Sequence, residues 1–203
     1  SYTGFDIDVM TQLAADLGVE LELVPTEGKT LVAGITAGKH HMTGSASVSP
    51  ARAKATGYSD SYFSLATVPL TLKSSADKYK DWEDLNNADV RVAATLGTTQ
   101  EKQVKQYFPN AKHVIVEAPA QPFQQVLSGR ADAHITSNVE ANKLVAIHSD
   151  LMIVPVSAPK SPTPIAMLLP QADQVWINYV NTWIKLKQER GFFKELDDKW
   201  KLN

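Results

Sequence analysis

Residues 44–63, GSASVSPARAKATGYSDSYF, set one arginine, Arg52, after the hydroxyl residues Ser45, Ser47 and Ser49 and before an aromatic, hydroxyl-rich segment. The guanidinium is a rigid planar fork of donors that matches a carboxylate, and the serines add hydroxyls and unencumbered N–H groups beside it. An anion site is one reading. The plain alternative is a solvated arginine at a helix start after Pro50. A second group follows Gly97, where Thr98 and Glu101 have the spacing of a capping box. The first N–H groups of that helix, at Thr98 and Thr99, together with the positive end of its dipole, suit one oxygen of a carboxylate. A third group, Ser137, Asn138 and Glu140, opens another helix with an acid in its first turn. The dipole favours an acid there, and a pocket carboxylic acid could equally protonate a leaving hydroxyl. His40 and His41 are adjacent, so on a strand they point to opposite faces, and no third ligand accompanies them; they read as surface residues, not a metal site.

The elements that must position these groups alternate between helix and strand. Phe5, Val9 and Leu13 recur at helical spacing up to Gly18, and residues 19–24 (VELELV) alternate as a strand does. A helix begins at Leu31 and stops at Gly38, and residues 40–47 resume extended structure. Residues 68–73 (VPLTLK) and 164–169 (PIAMLL) are short apolar runs that read as paired hinge strands. Between them the spacing predicts strand 90–94, a helix from Thr98, strand 112–116, helix 121–127, strand 133–136 and a helix from Asn138. Such alternation argues for a doubly wound parallel sheet with ligands at the carboxyl ends of the strands. The aromatic stripe of Trp176, Trp183, Phe192, Phe193 and Trp200 reads as packing.

Composition bounds the function from outside. The 203 residues suffice for one large domain or two small lobes, and 43% hydrophobic with 21% charged residues is ordinary globular usage. A net charge of -2 gives no electrostatic footprint for nucleic acid or anionic membrane. There are no cysteines, which leaves the redox compartment open. No apolar run is long enough to cross a bilayer, and no signal peptide precedes Ser1. A nucleophile elbow, a phosphate-cradling glycine loop and a Cys/His cluster are all lacking, so no cofactor or structural metal is expected.

Four stretches in order resemble the family 3 extracellular solute-binding proteins, the polar amino-acid binding components of ABC importers. They are residues 4–9 (GFDIDV), the SxSPAR…YSDSYF segment, residues 95–101 (TLGTTQE) and residues 128–141 (SGRADAHITSNVEA). The resemblance implies an α/β, two-lobed periplasmic binding protein of type II, with a doubly wound parallel sheet in each lobe. Lobe one would be residues 1–69 and 168–203, lobe two residues 70–167, with hinges near 68–73 and 164–169. It further implies a monomeric, exported protein, periplasmic or extracellular, that serves an ABC permease. Arg52 would anchor the solute's acid, Ser45 and Ser47 would bond it from lobe one, Thr98 and Thr99 from lobe two, and Ser137, Asn138 and Glu140 would select its far end. The chain opens on SYTGFD, where the family carries a central strand and loop, so the first strand of lobe one is expected to be missing.

Departures from that pattern bear on the ligand. The family's ammonium-binding aspartate falls on Ser137 and Asn138, and a pocket aromatic residue falls on Gly28. A buried ammonium without its carboxylate would be costly, so the expected solute is a small carboxylate-bearing, anionic or zwitterionic molecule not held in the usual amino-acid manner. Residues 77–93 and the later YFPNAK are similar to the cyclohexadienyl dehydratase branch, periplasmic enzymes on this scaffold that eliminate water from prephenate or arogenate. Glu140 falls on that branch's general acid, whereas its aspartate, asparagine and lysine fall on Ser137, Thr95 and Thr67. A binding protein is the preferred reading, dehydration through Glu140 the alternative. A receptor ectodomain stays open, and a transcription regulator's effector domain would not be expected to carry GFDIDV and SPAR together.

Overall fold

Helix α1 (Phe5–Leu17) forms where the apolar residues recur every three to four positions, and it buries Val9, Met10, Leu13 and Ala14. In the computed structural model, which describes residues 2–203, this helix belongs to the first of two compact units: Ser1–Ser64 with Thr163–Trp200, and Leu65–Pro162 with Lys201–Asn203. Gly18, at φ 72, ends α1 in the left-handed conformation that glycine adopts without strain. Two acids flank the buried face and tie α1 to the end of the chain. Asp16 accepts Lys187 Nζ at 2.9 Å and Trp183 Nε1 at 2.8 Å; Asp8 accepts Lys199 Nζ at 2.8 Å and Trp200 Nε1 at 2.9 Å. The lysine bonds first, then the indole bonds, hold both carboxyls below the usual carboxylate range. Their partners lie on α7 (Gln174–Glu189) and α8 (Phe192–Lys199) or just past its end. The aromatic stripe is packing, as expected: Trp183 meets Phe193 edge-on, and Phe193 stacks on Tyr62 at 5.2 Å.

Strands β1 (Ser45–Ser47) and β2 (Gly57–Tyr58) both pair antiparallel with β8 (Lys160–Leu169), at residues 165–167 and 168–169 respectively. Ala46 and Leu168 pack there with Ile35 of α2 (Leu31–Thr36). Unit one therefore differs from the parallel sheet expected for it, since its strand pairings among the described residues are antiparallel. Residues 19–24 differ too. They form no strand, and Val19, Leu21, Leu23 and Val24 are exposed. Alternation marks a chain that can bury one face, but a strand exists only where a neighbour takes up its backbone groups.

In unit two the alternating pattern is realised almost residue for residue. Strands β4 (Arg91–Thr95), β5 (Lys112–Val116) and β6 (Ala133–Ser137) are parallel, with β4 in the middle. β3 (Phe63–Leu72), longer than the hinge run read from sequence, adds antiparallel to β6 through Thr67–Leu70 and receives β7 (Leu151–Ile153). Helix α4 (Thr99–Tyr107) covers one face, where Val104 and Phe108 pack on Val92, Ala94, Ala133 and Ile135. α5 (Pro122–Leu127) and α6 (Asn138–Ile147) cover the other, where Phe123, Val126 and Ala141 pack on Ala93, Val68 and Leu70. Alternation along β6 puts Ala133 and Ile135 on the α4 side and turns His134 and Thr136 to the opposite side.

His134 is the exception in this apolar layer. Its ring is 3% exposed, and Nδ1 has no hydrogen-bond partner. Burial alone pushes its pKa down to about 4, so the ring is neutral in the folded protein at neutral pH. Between that value and the 6.5 of a free imidazole the unfolded chain binds a proton that the native chain does not, so stability rises with pH across this window and is lost as pH falls through it. The contribution is roughly 3 kcal/mol. Urea unfolding followed by tryptophan fluorescence should show the wild type losing more stability between pH 7 and pH 4.5 than His134→Met does. Equal losses would mean that His134 is not held neutral by burial.

Candidate functional site

Arg52 sits in the short helix α3 (Pro50–Ala53), whose start is fixed by Ser49: its Oγ accepts the Arg52 N–H at 3.2 Å, and Pro50 occupies the first helical position. The Ser47 carbonyl then receives two donors, Tyr58 Oη at 2.8 Å and Arg52 Nη1 at 3.1 Å, while Tyr58 Oη accepts the Ser49 N–H at 3.2 Å. The guanidinium is thus held half-buried by a neutral carbonyl, and among the described residues no carboxylate pairs with it. Its positive charge and its remaining donors are left for another partner. Ser47 is half-buried beside it. Ser45 is engaged elsewhere, with its hydroxyl 2.5 Å from Asp6 Oδ1 and 3.0 Å from Tyr62 Oη. Burial pushes the Tyr62 phenol up, the Ser45 bond working the other way, so it remains a protonated hydroxyl. Asp6 and Tyr62 both lie in motifs quoted above, yet only the fold brings them to Ser45.

The unit-two groups gather at the carboxyl ends of β4 and β6. After β4 the chain turns at Gly97, at φ 78, and Thr98 caps the start of α4. Thr98 Oγ1 accepts the Glu101 N–H at 3.3 Å and donates to the Thr95 carbonyl at 2.7 Å. Glu101 returns not to the cap residue but to the Gly97 N–H, at 2.8 Å, so the expected capping box is shifted by one residue. Lys105 at 2.7 Å, then the Gly97 N–H, hold the Glu101 carboxyl below its usual range. The first N–H groups of a helix have no partner within it, which leaves those of Thr99 and Gln100 aimed off the helix start.

At α6, Ser137 is the cap residue, accepting the Glu140 N–H at 3.1 Å. Asn138 Oδ1 accepts the Ala66 N–H of β3 at 3.1 Å and so ties the helix start to the sheet. The side chains of Ser137 and Asn138 therefore serve the fold directly. Thr67 is buried with its hydroxyl on Gln103 Oε1 at 2.8 Å. Glu140 is the group of this cluster turned to open space: its side chain is 54% exposed, Thr136 Oγ1 donates to its Oε1 at 3.1 Å, and His134 Nε2 lies 3.7 Å from the same oxygen. A cavity of about 80 Å³ opens here, lined by Thr95, Thr98, Gln100, His134, Ile135, Thr136 and Glu140. His134 was not singled out from sequence. Its signal was a histidine in the otherwise apolar start of a strand, and nothing local says which face that position takes. Of the adjacent histidines, His40 lays its ring over Gly34 and His41 is exposed. Among the described residues no three His, Cys, Asp or Glu side chains cluster as metal ligands would.

The chain is similar along nearly its whole length to the cyclohexadienyl dehydratase of Pseudomonas aeruginosa, 26% identical over 200 residues that cover 98% of this chain and 74% of that protein. Among solved structures it resembles an ancestral cyclohexadienyl dehydratase, 40% identical with a TM-score of 0.76, over 98% of this chain and 83% of that one. It also resembles an ancestral cationic amino-acid solute-binding protein, 36% identical with a TM-score of 0.83, over 99% of this chain and 86% of that one. These relatives share the two-lobed α/β fold. The description "Bacterial extracellular solute-binding proteins, family 3" matches residues 1–203, and the chain belongs to that family.

Proposed function

We propose that the chain is the exported solute-binding component of an ABC importer and takes a small organic solute that carries a carboxylate, either an anion or a zwitterion. The observation that carries this reading is Arg52, a half-buried guanidinium fixed by the Ser47 carbonyl and matched by no carboxylate among the described residues. An uncompensated, partly desolvated cation with spare planar donors is a carboxylate receptor. In unit two the Thr99 N–H would be the free donor, since the Thr98 N–H and hydroxyl are both given to the Thr95 carbonyl, and in unit one Ser47 would add a hydroxyl. In this reading Ser45 acts through the Asp6–Tyr62 network, Ser137 and Asn138 hold the start of α6, and Glu140 meets the solute's other end. The solute would be delivered to a membrane permease outside this chain.

Arg52→Ala should leave the urea unfolding free energy of the ligand-free protein within the range of an ordinary surface substitution, about 0.5 kcal/mol. It should also abolish the thermal stabilisation produced by hits from a library of carboxylate metabolites. Unchanged stabilisation by those hits would remove Arg52 from the site.

A second reading, dehydration of prephenate or arogenate, is favoured by one observation, the half-exposed Glu140 carboxyl with a hydroxyl and an imidazole beside it. Against it stand Ser137 and Thr67, whose hydroxyls are taken up by a helix cap and by Gln103. Incubation with either compound is expected to give no aromatic product. Phenylpyruvate or phenylalanine formation that disappears in Glu140→Gln would make the protein an enzyme.

A further inference from the structure

The free N–H groups at Thr99 and Gln100 point wherever the tilt and rotation of α4 send them. Val104 and Phe108 hold α4 against the sheet, but apolar contacts are non-directional and tolerate a turn about the helix axis. A hydrogen bond does not, because it weakens steeply as its angle closes. Gln103 supplies such a bond. It is buried, and its Oε1 accepts the hydroxyl of buried Thr67 on β3 at 2.8 Å. Residues three and four apart share a helix face, so Gln103 lies one turn below Gln100 and Thr99. Thr67 is fixed in its turn. Alternation along β3 puts Val68 and Leu70 in the layer under α5 and α6 and turns Thr67 to the α4 side, where it lies opposite Ser137 in the ladder with β6. One residue earlier, the Ala66 N–H donates to Asn138 Oδ1 at 3.1 Å. Consecutive residues of β3 are therefore bonded to α6 and to α4.

We propose that Thr67 and Gln103 are positioning residues, whose buried bond sets the orientation of α4 and with it the aim of the Thr99 and Gln100 N–H groups at a solute carboxylate. The proposal deepens the solute-binding reading and rests on it for the carboxylate. The cavity at the strand ends is lined by Thr98 and Gln100 but by neither Thr67 nor Gln103, so the pair acts through the helix and not by contact there. Stability alone gives little reason for such a pair, since replacing both partners by apolar groups of similar shape can be nearly neutral. What a satisfied buried pair adds is one defined arrangement of the two elements it joins.

The test compares Thr67→Ser, which keeps the hydroxyl and loses a methyl, with Thr67→Val, which keeps the shape and loses the hydroxyl. Residual dipolar couplings of the ligand-free whole chain report the directions of the Thr99 and Gln100 N–H bonds against those of Val92–Thr95. Sodium acetate, titrated while the same two amide signals are followed, reports their use by a carboxylate. Thr67→Val should turn both N–H directions and weaken acetate by about fivefold or more, whereas Thr67→Ser should stay close to the wild type in both. The double variant Thr67→Val with Gln103→Met should recover the wild-type urea midpoint but neither the N–H directions nor the acetate affinity. A pair that served packing alone would give the reverse order, with Ser worse than Val. That order, unchanged N–H directions in Thr67→Val, or recovered affinity in the double variant would each overturn the proposal. Acetate that leaves both amides unmoved in the wild type would instead remove the carboxylate reading of the helix start, and the couplings would still decide whether Thr67 and Gln103 orient it.

Discussion

Val92 opposes Ala133 and Ala93 opposes His134 across the parallel strands β4 and β6, and the unit-two site follows from that register. Parallel neighbours end on the same side, so Thr95 and Thr136 finish together, and the two helix starts that follow, capped by Thr98 and Ser137, arise side by side. A shift of one residue would turn His134 and Thr136 to the α4 face and carry Ile135 toward Glu140. The register is itself held at the other end of the strands. Arg91 donates from its backbone N, Nε and Nη2 to the Asp132 carboxylate at 2.8–3.1 Å. Burial would raise the Asp132 pKa, but these bonds outweigh it and hold the carboxyl low. An ion pair far from the cavity thus fixes which side chains reach it.

The two units treat charge in opposite ways. In unit one a guanidinium is satisfied only by a carbonyl, which orients it without neutralising it. In unit two a carboxylate is approached by a threonine hydroxyl and a neutral imidazole, neither of which cancels its charge. Asp8, Asp16 and Asp132, by contrast, each have a cationic partner. Arg52 and Glu140 are thus set apart from the structural ion pairs by what their neighbours lack. That contrast is a stronger pointer to ligand contact than exposure alone, because a lone surface charge is common and a fixed, uncompensated one is not.

Sequence made the locally determined features legible. Gly18, Gly97 and the hydroxyl cap at Thr98 each act within a few residues of themselves, and each sits where its pattern indicated, while Ser49 and Ser137, read from sequence as ligand-facing hydroxyls, are caps of the same local kind. The capping box at Glu101 shows the limit, since the same glutamate could serve Thr98 or Gly97 and the turn geometry decided between them. Residues 19–24 show another. Their alternation is as regular as that of any strand, but strand identity belongs to a pair, and no local pattern supplies the partner. His134 and the Asp6–Ser45–Tyr62 network were hidden for the same reason. Their contacts join residues separated along the chain, and burial of a strand residue is set by whichever layer covers its face.

The placing of polar residues at the start of α6 also has an energetic logic. Ser137 caps α6, and serine caps a helix about as well as aspartate does, so the start of α6 is stabilised without a charge at that position. The acid of the first turn is Glu140, three residues after the cap, where the dipole favours a negative charge. Nearly one helical turn separates the two positions, and the later one hangs over Thr136 and His134 at the strand end. The negative charge is carried on a long, half-exposed side chain, over a ring whose Nδ1 is unpaired. Fold stability therefore places little constraint on which of the two residues carries the acid. The choice between them is left to the chemistry of whatever the cavity receives.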